Sequence, residues 1–339
     1  MISERNIAVV ILNWNGKDFL AKFLPSVIEN NNNLYHIYVI DNGSTDQSIE
    51  FLKSTFPEVR LVLLDQNLGF AGGYNEGLKK INEEYYVLLN SDVEVKPAWI
   101  EPLLDLCKSN SNIVACQPKI LAHDDKNSFE YAGAAGGYMD HLGYPFCRGR
   151  IFDQLEKDQL QYEKAQSIFW ATGCALFIKK DIFWKVSGLD TDLFAHQEEI
   201  DLCWRLQNLG YEIWVEPKST VYHVGGGTLN QGSPNKDYLN FRNNLIIILK
   251  NHPYAYRVLS KRVFLDLLAM LKLIIDGKSK NAFAILRAYK DFINSIGHTL
   301  SKRRLSSVPK SLLSTMYPKS IVFQFYAKGI KKFKDLNWL

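Results

Sequence analysis

Short apolar runs alternate with helical patterns over the first hundred residues. The runs are IAVVIL (7–12), IYVI (37–40), LVLL (61–64) and YYVLL (85–89). A strand buried on both faces of a parallel sheet is a continuous apolar run of this kind, so each run predicts a strand. Apolar residues recur at helical spacing over 19–28, and STDQ (44–47) predicts a capping box before a second helix. The alternation predicts a doubly wound, mostly parallel α/β sheet.

The pattern becomes less regular in the second half and then changes character. SIFWATGCALFIKK, from residue 167, predicts two strands or a strand and a turn, and HQEEIDLCWRLQNLGY predicts an amphipathic helix that ends at Gly210. Beyond Asn235 the chain is composed of helical segments rich in Leu, Ile, Lys and Arg. We therefore predict a first domain over 1–235 and a basic helical C-terminal region over 236–339.

Composition narrows the class of protein. The 339 residues are 47% apolar and 22% charged, which is an ordinary globular mixture and excludes a wholly disordered or fibrous chain. The five cysteines stand singly, a spacing that favours a reducing compartment over a disulfide framework or a structural zinc site. The N-terminal MISERNIAVVIL lacks a cleavage site and predicts a first strand rather than a signal peptide. We therefore expect a cytoplasmic protein.

The charge is distributed unevenly between the two parts. Residues 236–339 contain 20 Lys and Arg but 5 Asp and Glu, a net charge of +15, whereas the whole chain carries only +4. Helices that combine apolar faces with basic residues suit an anionic membrane surface, so the chain could be peripheral on the inner face of the cell membrane. A helical subdomain packed on the first domain with a solvated basic face explains the pattern equally well. Nucleic-acid binding is not expected, because no recognised motif accompanies the charge.

Polar side chains follow each of the four predicted strands. They are Asn13, Asp41, Asp65 and the Asn90-Ser91-Asp92 cluster. Ligands of open α/β sheets bind outside the carboxyl ends of the strands. Single Asp residues often only cap turns, but several acids at one edge predict a binding site.

Six motifs then suggest a family. VVILNWNG, VIDNGSTD, NLGFAGGYNEG, YVLLNSDVEV, EEIDLCWR and YHVGGGT occur in this order. The series resembles the inverting transferases of glycosyltransferase family 2, which have a glycosyltransferase A-type fold, and most closely the rhamnosyltransferase-like members of bacterial polysaccharide synthesis. The resemblance covers roughly residues 6 to 245.

The resemblance implies a divalent metal, Mg²⁺ or Mn²⁺, and a catalytic base. Asp92 matches the last Asp of the family's metal-binding element, where Asn90 replaces the first Asp, and His223 matches a second metal ligand. Glu199 matches the base that removes a proton from the acceptor hydroxyl, and its neighbour Glu198 is expected to contact the acceptor. From the residues alone, the two acids could simply favour a helix N-terminus, and a lone His is usually structural.

The resemblance also implies nucleotide and acceptor contacts. Trp14 is expected to stack on the base and Asp41 to accept its N3–H, while Trp170 is expected to form a wall of the acceptor cleft. Trp14 and Trp170 could instead be core residues. The remaining nucleotide contacts are expected from Asn67, Gly72, Gly226, Gly227, Thr228 and Arg242, in addition to Asp92.

These observations predict a metal-dependent inverting glycosyltransferase. Its donor would be a nucleoside diphosphate sugar (UDP- or dTDP-linked, carrying rhamnose or another hexose), and its acceptor a glycan or a lipid-linked glycan of cell-surface polysaccharide synthesis. A sugar nucleotidyltransferase shares the α/β pattern, but would have a basic Gly-rich loop near the N-terminus, which VVILNWNG is not. A catalytically silent scaffold of a synthesis complex is the alternative from another class.

Overall fold

The structure, a computed structural model, describes residues 6–225, 232–305 and 308–338. Its strands are β1 Ile7–Asn13, β2 Tyr35–Asn42, β3 Arg60–Leu64, β4 Tyr85–Leu89, β5 Val93–Val95, β6 Ile113–Ala122, β7 Gly137–Asp140, β8 Pro145–Cys147, β9 Arg150–Ile151, β10 Gln154–Leu155, β11 Gln166–Ile168, β12 Ala175–Lys179, β13 Glu212–His223 and β14 Met316–Tyr317. Its helices are α1 Lys17–Glu29, α2 Ser48–Thr55, α3 Gly69–Leu78, α4 Glu101–Ser109, α5 Lys180–Lys185, α6 Glu198–Asn208, α7 Pro234–Asn251, α8 Ala255–Ile275, α9 Ser279–Leu305 and α10 Ile321–Tyr326.

A nine-stranded sheet forms the centre, with the strand order β11-β13-β6-β12-β4-β1-β2-β3 and β5 paired with β13. The half built from the four predicted strands, β3-β2-β1-β4, is entirely parallel. Beyond β4 the sheet is mixed, because β12 runs antiparallel to both β4 and β6, while β6 and β13 are parallel. The predicted parallel order therefore holds for the N-terminal half of the sheet.

Helices cover both faces of this sheet, as a doubly wound fold requires. On one face α1 and α4 bury Leu20, Leu24 and Leu103 against the strands. On the other face α3 packs through Tyr74 and Leu78, in a core that continues into α6 and α7. The apolar repeat over 19–28 therefore forms the predicted helix α1.

The predicted capping box before α2 is not formed. Gln47 precedes α2 without a side-chain cap, and Asp46 Oδ1 accepts from the amide of Ser48, the first residue of the helix, at 3.0 Å. Ser44 instead accepts hydrogen bonds from the Asn13 side chain and the Asn15 amide. Tertiary partners from the β1–α1 loop thus replace the expected local partner.

The C-terminal region packs on the rest of the chain. Helix α7 buries Leu245, Ile247 and Leu249 in the main core, and β14 pairs with β7 in a second sheet of the order β10-β9-β8-β7-β14. The predicted basic helical region is therefore present as α7 to α9, while its independence as a domain starting at residue 236 stays a prediction. Among the described helices, none combines the length and apolarity needed to cross a membrane.

Candidate active site

The carboxyl ends of β1, β2 and β4 meet at one edge of the sheet. The parallel register sets Asn13 opposite Asp41 and Ile11 opposite Leu89, so the chain leaves all three strands on the same side. The segment 90–92 follows β4 directly, and the end of β13 comes to the same place because His223 pairs with Val93 of β5. This edge holds most of the side chains that the sequence singles out.

Asp92 and His223, the two expected metal ligands, are in contact. His223 Nε2 lies 3.1 Å from Asp92 Oδ1, and both side chains are buried. Asn90 Nδ2 lies 3.3 Å from the same imidazole nitrogen. Residues 133 positions apart in sequence, Asn90 and His223, are thus brought together by the pairing of β5 with β13.

Two further side chains surround the imidazole. Nδ1 of His223 lies 3.4 Å from Oε2 of the buried Glu130, and the Cys174 thiol also interacts with the ring. Burial by itself would lower the pKa of His223, but the surrounding Cys174, Asp92 and Glu130 raise it well above its usual value. For Asp92 burial acts in the opposite direction and would raise the pKa, but the neighbouring His223 holds it below its usual value. Asp92 is therefore a carboxylate.

The donor chemistry of this pair fits a divalent cation. A carboxylate oxygen binds Mn²⁺, and so does an imidazole nitrogen once the cation displaces its proton, while Mg²⁺ is usually held by one or two carboxylates together with substrate phosphates. Within the described ranges, no set of three His, Cys, Asp or Glu side chains is arranged as a complete metal site. Asp92 and His223 are therefore the side chains that would hold such an ion.

The expected base pocket is organised around Asp41. Its carboxylate accepts from Asn13 Nδ2 at 3.0 Å and from the Ser44 amide at 2.9 Å, and it is only 1% exposed. Trp14 lies on the loop that these bonds hold, with 49% of its surface exposed. An exposed ring suits base stacking, whereas contact of Asp41 with a base requires that the loop open. Both roles stay predictions.

The glycine-rich segment 67–75 begins α3, but the first amides of this helix are already bonded. The amides of Phe70 and Ala71 donate to the Phe194 carbonyl at 2.9 and 3.3 Å. Asn67 Oδ1 accepts from the Asn42 side chain and the Gly69 amide. A side chain at Gly69 would collide with the Phe194 ring. The expected nucleotide contacts of Asn67 and of Gly72 on α3 stay predictions.

Glu198 and Glu199 begin α6 and differ in environment. Glu198 is buried, and burial together with the charge of Glu199 raises its pKa well above the usual value. Glu199 is partly exposed, and burial raises its pKa to about 7. Glu199 packs beside Gly173, and the Cys174 carbonyl accepts from the Asn90 amide at 2.9 Å. The segment 173–174 therefore joins the acid pair to the Asp92–His223 pair.

The turn before α6 has a strained backbone. Phe194, His196 and Gln197 have φ angles of 58, 70 and 69°, in the left-handed region that costs a residue other than Gly energy. The buried Asn243 of α7 compensates, because its Nδ2 lies 2.9, 2.9 and 2.7 Å from the carbonyls of Leu193, Ala195 and His196. Helix α7 thus holds the turn that aims the two glutamates.

A buried ionic network connects the same elements. Lys250 of α7 pairs with Asp190 and with Asp201, the latter at 2.7 Å. Asp201 also binds Arg205 at 2.8 Å on α6, as the i, i+4 spacing predicts. Although burial acts to raise the pKa of Asp190, Lys250 and Lys302 lower it well below its usual value. The network ties α7 and α9 to the base of α6.

Two expected contacts take a different form in the structure. Trp170 is a core residue, 4% exposed, with its Nε1 donating to the Tyr138 carbonyl at 2.9 Å, so the prediction of an acceptor platform is wrong. The Arg242 guanidinium binds the carbonyls of Asp192 and Leu193 and so braces the turn before α6. Its expected contact with a diphosphate stays a prediction. Gly226, Gly227 and Thr228 lie outside the described residues.

Sequence reasoning missed Glu130 and Asn243. Glu130 lies in FEYAGAAGG, which carries no recognisable chemical motif. Asn243 ends the stretch YLNFRN, in which the charged Arg242 is the residue that suggests a contact with a diphosphate. The supporting role of a buried Asn becomes visible only in the structure, where the carbonyl groups that it contacts can be seen.

Comparison with known proteins supplies the wider context. The model of the family described as Glycosyl transferase family 2 matches residues 8–187, more than half of the chain. The chain is 25% identical over 235 residues to N-acetylglucosaminyl-diphospho-decaprenol L-rhamnosyltransferase of Mycobacterium tuberculosis, a match over 64% of this chain and 75% of the relative. It is 20% identical over 247 residues to the low-salt glycan biosynthesis hexosyltransferase Agl10 of Haloferax volcanii, covering 71% of this chain and 75% of the relative.

A solved structure shares the fold. The crystal structure of GalNAc-T7 with UDP, GalNAc and Mn²⁺ superposes with a TM-score of 0.59 at 17% identity. The match covers 88% of this chain and 58% of that protein's chain, and at this identity it concerns the fold alone. The predicted glycosyltransferase A-type architecture is thereby confirmed.

Proposed function

Because the chain belongs to glycosyltransferase family 2 and is a glycosyltransferase, we propose that it transfers a sugar, with inversion, from a nucleoside diphosphate donor to a glycan or lipid-linked glycan. The observation that carries the proposal is the contact of Asp92 with His223 at the sheet edge, joined through the segment 173–174 to Glu199. The Asp92–His223 pair suits a metal-bound diphosphate, and Glu199 suits an acceptor hydroxyl.

The proposed reaction needs one base and one site for the leaving group. Glu199 takes the proton of the acceptor hydroxyl as the oxygen attacks the anomeric carbon, and the bond from that carbon to the diphosphate breaks. A divalent ion, Mg²⁺ or Mn²⁺, would offset the charge that develops on the departing diphosphate. Asp92 and His223 would hold the ion, and Glu130 beside Nδ1 would fix the ring orientation of His223.

The relatives support a finer proposal. The mycobacterial relative is named for L-rhamnose transfer to a diphospho-decaprenol acceptor, and the archaeal relative for glycan biosynthesis. We propose a UDP- or dTDP-linked rhamnose or other hexose as donor and a lipid-linked glycan of cell-surface polysaccharide synthesis as acceptor. Trp14 and Asp41 would form the base pocket. The chain would act in the cytoplasm, bound peripherally to the inner, anionic membrane surface.

Nucleotide binding by calorimetry tests the proposal. We expect the protein to bind UDP or dTDP more tightly with Mn²⁺ or Mg²⁺ than with a chelator. Asp92→Asn keeps the side-chain volume but removes the charge, so it should abolish the metal dependence. Asp65→Asn is the matched control, since Asp65 is an exposed carboxylate after β3 at the same edge. Unchanged metal dependence in Asp92→Asn contradicts the proposed metal site.

A further inference from the structure

Helix α8 is amphipathic in the reverse of the usual sense. Its buried face carries Arg262 and Asp266, which pair at 3.3 Å one helical turn apart. Tyr144 and Tyr289 donate to the two oxygens of Asp266 at 3.0 and 2.7 Å. Arg262 also donates to the buried Asn244 of α7. A buried pair with these partners fixes the rotation of α8 about its axis.

The opposite face of α8 is apolar and exposed. Phe264, Leu268, Leu271 and Ile275 recur at helical spacing, which places them on one stripe about half a turn away from Arg262 and Asp266. Phe264 is 64% exposed and Ile275 is 84% exposed. A helix at the surface of a globular protein normally turns its apolar stripe toward the core. A large apolar patch that is exposed instead marks an interaction site.

Neighbouring elements also expose apolar side chains. Phe283, Leu286 and Ile293 are exposed on α9, the helix that packs beside α8. Phe323 and Tyr326 are exposed on α10, and Tyr326 is close enough to Lys272 of α8 for the two to interact electrostatically. We call these exposed side chains of α8, α9 and α10 the α8 surface. Among the described residues, these nine side chains are nearly half of the twenty exposed large apolar ones.

The charge around the α8 surface indicates which kind of partner it would bind. Residues 255–305 contain 11 Lys and Arg but only 3 Asp, a net charge of +8. Eight of the basic side chains in this range are exposed: Arg257, Lys261, Lys272, Lys278, Lys280, Arg287, Lys290 and Arg304. A second copy would bring this positive field against itself, whereas an anionic lipid surface complements it and accepts the apolar stripe between its headgroups.

We propose that the α8 surface docks the chain on an anionic bilayer, with Phe264, Leu271 and Ile275 inserted at the level of the headgroups. The inference rests on the proposed function in that a lipid-linked acceptor would be met at this surface. The inference goes beyond the proposed function because it assigns the membrane contact to one face of the molecule. It also explains why α8 carries the buried Arg262–Asp266 pair. That pair turns the polar side of α8 inward and its apolar side outward.

Vesicle co-sedimentation of the full chain tests this assignment. We expect binding to phosphatidylcholine vesicles that contain about 30% phosphatidylglycerol, weaker binding to pure phosphatidylcholine, and weakening with salt. The triple variant Phe264→Ser, Leu271→Ser, Ile275→Ser should bind about tenfold more weakly or worse, because three side chains lose their apolar burial. The triple variant Leu155→Ser, Leu160→Ser, Leu209→Ser, which changes exposed side chains elsewhere, should bind like the wild type.

Two more measurements separate the alternatives. The thermal shift that UDP or dTDP produces reports the fold and the donor site, and it should be equal in both triple variants. Vesicle binding by the α8 variant equal to that of the wild type overturns the inference, whatever the donor measurement gives. A dimer in sedimentation velocity that the α8 variant converts to a monomer, with vesicle binding unchanged, assigns the surface to a second copy and also overturns it.

Discussion

Adjacent carboxyl groups at the start of α6 have different protonation at neutral pH. Burial raises the pKa of Glu199 to about 7, so a large fraction of this side chain is ionised at neutral pH. Burial and the neighbouring charge raise the pKa of Glu198 well above the usual value, so Glu198 is neutral there. A neutral Glu198 prevents two negative charges from facing each other at the helix start. The partly exposed Glu199 is therefore the better proton acceptor of the two.

This difference makes the substitutions at the two positions unequal. Glu199→Gln should lose transfer by about 10²-fold or more while retaining donor binding, because the group that accepts the proton is gone. Glu198→Gln should be mild, because a neutral amide resembles the protonated carboxyl already present. Steady-state transfer and calorimetric donor binding of both variants provide the measurement. An inactive Glu198→Gln beside a nearly normal Glu199→Gln would reverse the assignment.

The same pKa predicts the direction of the pH dependence. The ionised form of Glu199 is the base, so the rate of transfer at saturating donor should rise as the pH increases through about 7. The residual rate of Glu199→Gln should lack this rise, since Gln does not titrate. The two pH profiles, compared under the same metal and salt, check this. A rise that persists unchanged in Glu199→Gln would assign the titration to another group.

Among the elements, α7 supports the turn that carries the two glutamates. Its Asn243 binds three carbonyls of the turn before α6, and its Asn244 donates to the Gln197 side chain at 3.1 Å. The turn needs this support because three of its residues adopt left-handed φ angles. Glu198 follows immediately, so the direction of the acid pair depends on α7. Asn243 is therefore a positioning residue.

Asn243→Ala should affect both stability and catalysis. The carbonyls of Ala195 and His196 lose this donor, which should lower the free energy of unfolding by about 1–3 kcal/mol. The relaxed turn should lower kcat more than tenfold and change the donor KM little, because the misplaced group is the base. Asn235→Ala is the matched control, since Asn235 is an exposed residue of the same helix. A variant that loses stability but keeps kcat would limit Asn243 to a structural role.

At the scale of the whole molecule, the C-terminal region is part of the main core and also presents the α8 surface. The two interpretations of the basic region, a membrane-surface element and a packed subdomain, are therefore compatible. Helix α7 packs inward through Leu245 and Ile247, and β14 completes the second sheet. Within the described part of the C-terminal region, the outward face of α8 and its neighbours is the face that we assign to a membrane.

A chain truncated after Asn235 should therefore fail to fold. It loses α7 from the core, β14 from the second sheet and Lys250 from the ionic network that holds Asp190 and Asp201. The buried Asp190 loses both of its lysine partners, and the buried Asp201 keeps only Arg205, which is strongly destabilising. We expect an aggregated or non-cooperatively melting product in size-exclusion chromatography and circular dichroism. The full chain with Lys278→Gln, Lys280→Gln and Lys290→Gln should fold normally, because it loses charge but no packing. A soluble truncation with a cooperative melt would instead support separate domains.

The sequence by itself determined the elements and the edge at which the site lies. Buried strands need continuous apolar runs and α1 needs an apolar stripe, so β1 to β4 and α1 follow from local pattern. Parallel strands must end at one edge, which is why the positions of Asn13, Asp41 and Asp92 directly after apolar runs are enough to group them. The acids that begin α6 follow from pattern in the same way, because they precede a strongly periodic helix.

Only the tertiary structure decided which polar groups are buried together. Asn243 donates a hydrogen bond to Leu193, which lies 50 residues away in sequence. Glu130 contacts His223 because the end of β6 lies beside the end of β13. Trp170 is buried in the core. The outward rotation of α8 follows from where Asp266 finds Tyr144 and Tyr289. A polar side chain is stable in the interior only where its hydrogen bonds are satisfied. Those partners come from distant segments, so local sequence pattern carries no record of them.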